Sequence, residues 1–288
     1  MSITASQVRK LREQTAAPLM ACKKALQKTA GNLEEAILVL RKSGKAKAEK
    51  RSRKIAAEGK TELLVTDDNK RAFMVEINSE TDFVARDCSF NDFAKLLARR
   101  GLSEKVQHVS ALLALPEELG SKQTIEQLRQ CLITKTGENI QVRRVAYLRA
   151  ENCGCVVGYC HAGRISVLLS LLGGDSKLAK DIAMHIAAMN PQAISPDDIS
   201  DTVIENERAI FMERAQQSRK SEAIVHKIVD GQLKKFFKEN TLLDQPFVKD
   251  NNHTVAELLK IHKASIKNFV RFEVGEGIEK KYKTLPTK

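Results

Sequence analysis

Hydrophobic and polar positions change period several times along the chain, and each change marks an element. Residues 1–44 read as three short helices. Thr4-Ala5-Ser6-Gln7 has the spacing of a capping box, with Ile3 and Val8 as its hydrophobic staple and Val8 and Leu11 as the following apolar stripe. Pro18 suits a first helical turn, and Leu19, Cys22, Ala25 and Leu26 follow at helical spacing until Gly31 stops the run. Asn32 with Glu35 starts a third helix whose Leu33, Ala36, Ile37 and Leu40 turn inward, and Gly44 is expected to end it. From residue 61 the period becomes two. Thr61–Thr66 and Arg71–Ile77 predict a β-hairpin about the Asp67-Asp68-Asn69 turn, with Phe73, Val75 and Ile77 on one face. Asn78–Asp82 reads as a polar loop, and Ser89 as the cap of a helix with Phe90, Phe93, Leu96 and Leu97 on its apolar side. A helix over 123–134 and a strand through Ile140, Val142, Ala146 and Leu148 follow.

Strand-like runs recur at 155–161 and 164–172. Asp175 is expected to cap a helix over 176–189 with Leu178, Ile182, Ile186 and Met189 as its stripe. Two helical runs, 200–218 and 221–239, meet at Ser218–Ser221. Val203, Ile210 and Phe211 are matched with Ile224, Val225, Ile228 and Phe236, which predicts an antiparallel helical hairpin projecting as an arm. Thr254 with Glu257 caps a further helix, and Asn268, Val270, Phe272 and Val274 alternate as a closing strand. The fold class predicted is α+β with antiparallel sheets.

Composition narrows the function more than the fold. The 288 residues are 42% hydrophobic but only 5% aromatic, without Trp, which fits a packed, helix-leaning chain. The formal net charge is +12, and the stretch 41–54 carries eight Lys and Arg against one acid, or +7 of it. Such a surface attracts acidic partners. On its own the run reads as a solvated face, the segment 45–58 as a solvated helical linker between modules, and the run lacks interleaved aromatics for stacking on bases. No apolar run approaches the roughly 20 residues that span a bilayer, and the N-terminus has no secretory pattern, so a cytoplasmic chain with six thiol cysteines is expected.

No catalytic constellation stands out. Cys153, Cys155, Cys160 and His161 have a spacing unlike common zinc sites, so no metal is expected and the cysteines read as packed along a strand. His185 reads as a packed or capping histidine on the core helix. There is no phosphate-cradling glycine loop and no H-E-x-x-H pattern. Neither enzyme activity nor a cofactor is expected.

Four segments in this order resemble the bacterial elongation factor Ts family. They are Ile3–Thr15 with Met20-Ala21-Cys22-Lys23-Lys24-Ala25-Leu26, then Thr81-Asp82-Phe83-Val84-Ala85 after Glu76-Ile77-Asn78. The third is His161-Ala162-Gly163-Arg164-Ile165 with Met184-His185-Ile186-Ala187-Ala188, and the last is Arg271-Phe272-Glu273-Val274-Gly275-Glu276-Gly277-Ile278-Glu279. The resemblance covers residues 1–280. It implies a guanine-nucleotide exchange factor that releases GDP from elongation factor Tu by disturbing the Mg²⁺ and phosphate site. It also implies a ubiquitin-associated-like module at 1–45, a basic linker at 46–58, and a two-part core at 59–150 and at 151–195 with 241–280. A coiled-coil insertion at 196–240 and a short tail at 281–288 complete it. Thr81, Asp82, Phe83 and Val84 are the implied contacts near the metal, with Lys23 and His161 as further contacts. The implied partner is the GTPase, with a homodimer or two-to-two assembly left open, and neither membrane nor nucleic acid is required. Three positions depart from the family's usual pattern: Ala17-Pro18-Leu19 in place of a glycine-rich start, Ala21, and Glu80 before Thr81. From the residues alone Phe83 reads as core and Asp82 as a loop cap. The rival function is a basic RNA- or ribosome-binding module using 41–54.

Overall fold

A computed structural model gives the arrangement of the chain and describes residues 3–15, 17–151, 153–217 and 221–279. Three helices open it, α1 (Ala5–Thr15), α2 (Leu19–Lys28) and α3 (Leu33–Arg51). The capping box forms: Gln7 Oε1 accepts from the Thr4 N–H at 3.0 Å, and Thr4 Oγ1 from the Gln7 N–H at 3.3 Å. Asn32 Oδ1 accepts from the Glu34 and Glu35 amides at the start of α3. Val8, Leu11, Cys22, Ala25, Leu26 and Ala36 make the shared core. Leu19, expected in that stripe, stands at the first residue of α2 outside the packed cluster and is 52% exposed.

The stop expected at Gly44 does not occur. α3 continues to Arg51, and Gly44 lies buried within it. A Cβ at Gly44 would lie 3.4 Å from Thr134 Oγ1 of α7 (Ile125–Thr136). Small residues at Gly44 and Ala48 let the two helices close on each other. That packing outweighs the roughly 1 kcal/mol propensity cost of a mid-helix glycine. Most of the basic stretch, through Arg51, is therefore the last part of α3, not a separate linker.

Strands β1 (Glu58–Val65), β2 (Arg71–Ser79) and β3 (Gln141–Arg149) form an antiparallel sheet in the order β1-β2-β3. Between β2 and β3 lie α4 (Asp82–Arg86), α5 (Cys88–Ser103), α6 (Val109–Ala114) and α7. β2 is buried on both faces after Arg71. Phe73, Val75 and Ile77 pack against Phe90, Phe93, Leu97 and Ile133 of the helices. Ala72 and Met74 look the other way, onto Val156, Leu168 and Phe272. Those belong to a second antiparallel sheet, β4 (Cys155–His161), β5 (Ile165–Leu172) and β8 (Ser265–Glu273), in the order β4-β5-β8. α8 (Ser176–Met189), capped by Asp175, covers its outer face with Leu178, Ile182 and Ile186, while Met189 at its last residue is exposed. The core is thus layered helix, sheet, sheet, helix, as the α+β reading requires.

Helices α9 (Asp201–Gln216) and α10 (Glu222–Asn240) pair along Ala215, Val225, Val229 and Leu233. Phe211 and Ile228 flank this seam as expected, but Val203, Ile210 and Ile224 lie outside it, exposed. The junction at 218–220 and the tail from 280 lie outside the described residues. A short hairpin, β6 (Pro246–Phe247) and β7 (Asp250–Thr254), leads into α11 (Val255–Ile261), which starts on the predicted Thr254–Glu257 capping box.

A buried carboxylate ties the first sheet to the end of β8. Glu76, on β2, accepts from Arg143 Nη1 at 3.0 Å, from Arg144 Nε, and from the Gly275 N–H at 2.9 Å. Burial works against its charge, but the Gly275 amide and the two guanidiniums outweigh burial and hold the carboxyl below its ordinary value. Gly275 has φ of 75°, and a Cβ there would lie 2.3 Å from the Ala57 carbonyl oxygen. Only glycine lets the backbone come this close.

Candidate functional site

Residues 78–82 do not form the expected loop. Asn78 and Ser79 are the buried end of β2, and Asp82 already begins α4. Thr81 makes the change of direction. Its Oγ1 accepts from the Val84 N–H at 3.4 Å and so caps α4. Glu138, just past the C-terminus of α7, accepts from the Thr81 N–H at 3.0 Å and from the Thr81 hydroxyl at 2.7 Å. The Ser79 hydroxyl donates to the Thr81 carbonyl at 2.8 Å. Glu80 accepts from the Asn139 N–H at 2.7 Å and lies 3.4 Å from Arg51 Nη1. The next helix is capped by Asp87, not Ser89: Asp87 Oδ1 accepts from the Ser89 N–H at 2.8 Å.

With its start fixed, α4 divides into two faces. Val84 and Ala85 pack on the cluster between β2 and α5. Phe83 points away and is 80% exposed, so it is not a core side chain. Asp82, half-exposed, pairs with Arg86 one turn later at 3.0 Å. The result is an apolar ring and a carboxylate presented to solvent on an anchored support.

A chain of hydrogen bonds links α4 to the turn after β4. Asn91 Nδ2 donates to the Ala85 carbonyl at 3.4 Å, and Lys60 Nζ to Asn91 Oδ1 at 2.8 Å. The Thr61 N–H then donates to the Gly163 carbonyl at 2.7 Å. His161 precedes that turn, exposed, with Nδ1 3.3 Å from the Tyr159 hydroxyl. The structure therefore brings His161 to the same edge of the sheets as α4. Lys23 is not part of this group. It is exposed on α2, beside exposed Leu19 and Met20, and α2 packs on α1 and α3.

The remaining candidates are structural. Cys155 is half-buried, but Cys153 and Cys160 are exposed, so the reading of all three as packed thiols is corrected: Cys160 lies near the exposed end of β4. Among the described residues no group of three or more His, Cys, Asp or Glu could hold a metal ion. His185 is fully buried. Its Nδ1 accepts from the Val248 N–H at 3.2 Å, so Nε2 carries the proton and donates to Gln245 Oε1 at 2.9 Å. Gln245 in turn donates to the Glu239 carbonyl at 2.7 Å, which pins the base of the arm. Burial pushes the imidazole below its usual value, with the Gln245 bond acting the other way. Glu138 escaped the sequence reading, because nothing in the spacing joins it to Thr81, 57 residues away.

A family model described as Elongation factor TS matches residues 80–276. Elongation factor Ts of Coxiella burnetii (strain Dugway 5J108-111) is 52% identical over 279 residues, covering 97% of this chain and 94% of that protein. The protein of that name from Thioalkalivibrio sulfidiphilus is 48% identical over 281 residues, covering 98% and 95%. That of Legionella pneumophila (strain Paris) is 47% identical over 281 residues, covering 97% and 94%.

Proposed function

Since the chain belongs to the elongation factor Ts family, it is a translation elongation factor acting as a nucleotide exchange factor for elongation factor Tu, and we propose that it acts through α4, the helix capped by Thr81. The observation that carries this proposal is Phe83, an exposed ring held on a rigidly capped helix.

Exchange needs no covalent step. The factor must bind the GTPase more tightly when the contacts to Mg²⁺ and phosphate are weakened. By linkage the nucleotide then weakens the factor by the same amount. A thousandfold faster release asks for about 4 kcal/mol of barrier. Phe83 wedges into an apolar gap of the GTPase, and Asp82 competes for groups beside the metal. Wedging requires that the ring not swing away, because ordering a loose segment on binding would consume the gain. The bonds from Glu138 and Ser79 to Thr81 do that ordering in advance. His161, at the same edge, and Lys23, on the three-helix module, supply further contacts in this reading. The setting is the cytoplasm.

Stopped-flow release of a fluorescent GDP from elongation factor Tu tests the assignment. The Asp82→Ala/Phe83→Ala pair slows chain-stimulated release by about 10- to 100-fold or more, as removing roughly 1.5–3 kcal/mol of aromatic burial requires. Its own stability stays within about 0.5 kcal/mol of wild type, because both side chains face solvent. Wild-type rates for the double variant refute the site.

A further inference from the structure

The outer face of α3 carries charge that the chain does not neutralise. Eight Lys and Arg stand between Arg41 and Lys54 against Glu49 alone. All but Arg51 are exposed. Arg51 pairs with Glu80, and among the described residues the other seven make no ion pair. The fold creates this face. Gly44 and Ala48, one turn apart, are the buried seam, which turns Arg41, Lys42, Lys45, Lys47 and Lys50 outward. Like charges three and four residues apart on a helix repel. Arg41 with Lys45, Lys42 with Lys45, and Lys47 with Lys50 are such pairs, so an external polyanion relieves what the fold leaves strained.

The residue types say which polyanion. The run holds no aromatic residue to stack on unpaired bases and no Asn or Gln to read base edges. A membrane-surface helix needs apolar side chains beside its cations, and here the seam residues face the protein instead. A row of unpaired cations along a helix suits regularly spaced phosphates read without sequence. We propose that the outer face of α3 binds the phosphate backbone of duplex RNA. The choice of RNA over DNA rests on the exchange-factor reading, since the polyanions of translation are RNA. The exposed part of the helix, from Arg41 to Arg51, is about 15 Å long and spans three to five phosphates.

This surface adjoins the candidate exchange site. Arg51 touches Glu80, the residue before Thr81, and the Lys54 carbonyl accepts from Asn139 Nδ2 at 2.8 Å while the Asn139 N–H holds Glu80. RNA on α3 lies beside whatever docks on Phe83.

Fluorescence anisotropy with a labelled RNA hairpin of about 20 base pairs, from about 50 to 200 mM KCl, tests the proposal. Affinity should fall with a log–log slope of about −3 to −5, at roughly 0.9 per phosphate. The Lys42→Gln/Lys45→Gln/Lys47→Gln/Lys50→Gln variant should flatten that slope by about 2 or more and bind at least about tenfold more weakly at the lowest salt. Its thermal melt should hold or rise slightly, since like-charge pairs are removed, and its GDP-release activity should not change. An unaltered slope in the variant, or a wild-type slope shallower than about −1, overturns the proposal. So does tighter binding to an unstructured single strand, or uptake by vesicles of phosphatidylserine and phosphatidylcholine without hairpin binding. Equal affinity for a DNA hairpin overturns the assignment to RNA. Absent RNA binding with full exchange activity sinks this inference alone, and absent exchange with intact RNA binding sinks only the exchange reading.

Discussion

Glu138 holds Thr81 twice, one carboxylate oxygen accepting from its amide and the other from its hydroxyl. The two residues come from opposite ends of the α4–α7 segment, so the direction in which α4 leaves the sheet is set by a residue just past the far end of α7. Glu138→Ala removes both bonds, at about 1–3 kcal/mol for hydrogen bonds to a charged group. The expected result is a chain that still folds but stimulates GDP release about tenfold less. Glu138→Gln, which keeps an acceptor, should recover part of that rate. Equal rates for wild type and Glu138→Ala in stopped-flow would remove Glu138 from the positioning of the wedge.

Two glycines in helices predict opposite outcomes. A Cβ at Gly101 would stand 2.2 Å from the ring of fully buried Phe73, so Gly101→Ala should cost about 1–3 kcal/mol by overpacking. At Gly44 the nearest atom is at 3.4 Å, an ordinary contact, so Gly44→Ala should be neutral or stabilising by up to about 1 kcal/mol. Urea unfolding of the two variants decides it, and a destabilised Gly44→Ala would mean the α3–α7 seam is tighter than described.

Glu76 should govern acid stability. Its folded carboxyl is held below the ordinary value of 4.5, so its contribution is complete above that value and is lost as pH falls through the folded one. Urea midpoints for wild type should therefore start to drop as pH falls below about 4.5. Glu76→Gln should be less stable at pH 7 by about 3–5 kcal/mol, because two guanidiniums lose their buried counter-charge. It should also show a smaller acid-side loss. A parallel pH profile for the two proteins would contradict the network.

His185 acts at higher pH and for a different reason. Burial depresses its folded value below the ordinary 6.5, so the unfolded chain takes up the proton first. Stability is full above about pH 6.5 and declines below it, by at most about 1.4 kcal/mol per pH unit, until the folded imidazole titrates. His185→Leu should lose two hydrogen bonds and, with them, this slope. Histidine resonances followed by NMR give an independent reading, since the His185 signal should keep its neutral-form position below the ordinary value of 6.5.

Much of this arrangement was written locally in the chain. The capping residues Thr4, Asn32, Asp175 and Thr254 marked helix starts, and period-two runs marked the strands, because both signals act within a few residues. Gly44 misled because propensity is local whereas its packing partner, Thr134, is 90 residues away. α4 and α6, at five and six residues, are too short to show a helical period. The arm's seam was misread in part, since several apolar positions on α9 and α10 offered more than one stripe and only pairing selects it. For the site, the TDFVA run pointed to Asp82 and Phe83 by resemblance. Its physical character was not legible, because an exposed phenylalanine and a core one are the same letter until the anchoring of Val84, Ala85 and Thr81 is known.

The unbroken α3 also governs how two separated contacts can add. Ala36 near its start lies in the three-helix core, and Ala48 near its end lies in the core behind β2. The continuous helix makes a strut of about 18 Å between them, within nineteen residues that run about 28 Å in all. In the proposed reading, a partner gripped at the Lys23 surface would meet Phe83 at a fixed span, so the second contact would form at a high effective concentration and be lost if the span were wrong. A flexible tether in place of Gly44 would keep both contacts and forfeit that gain.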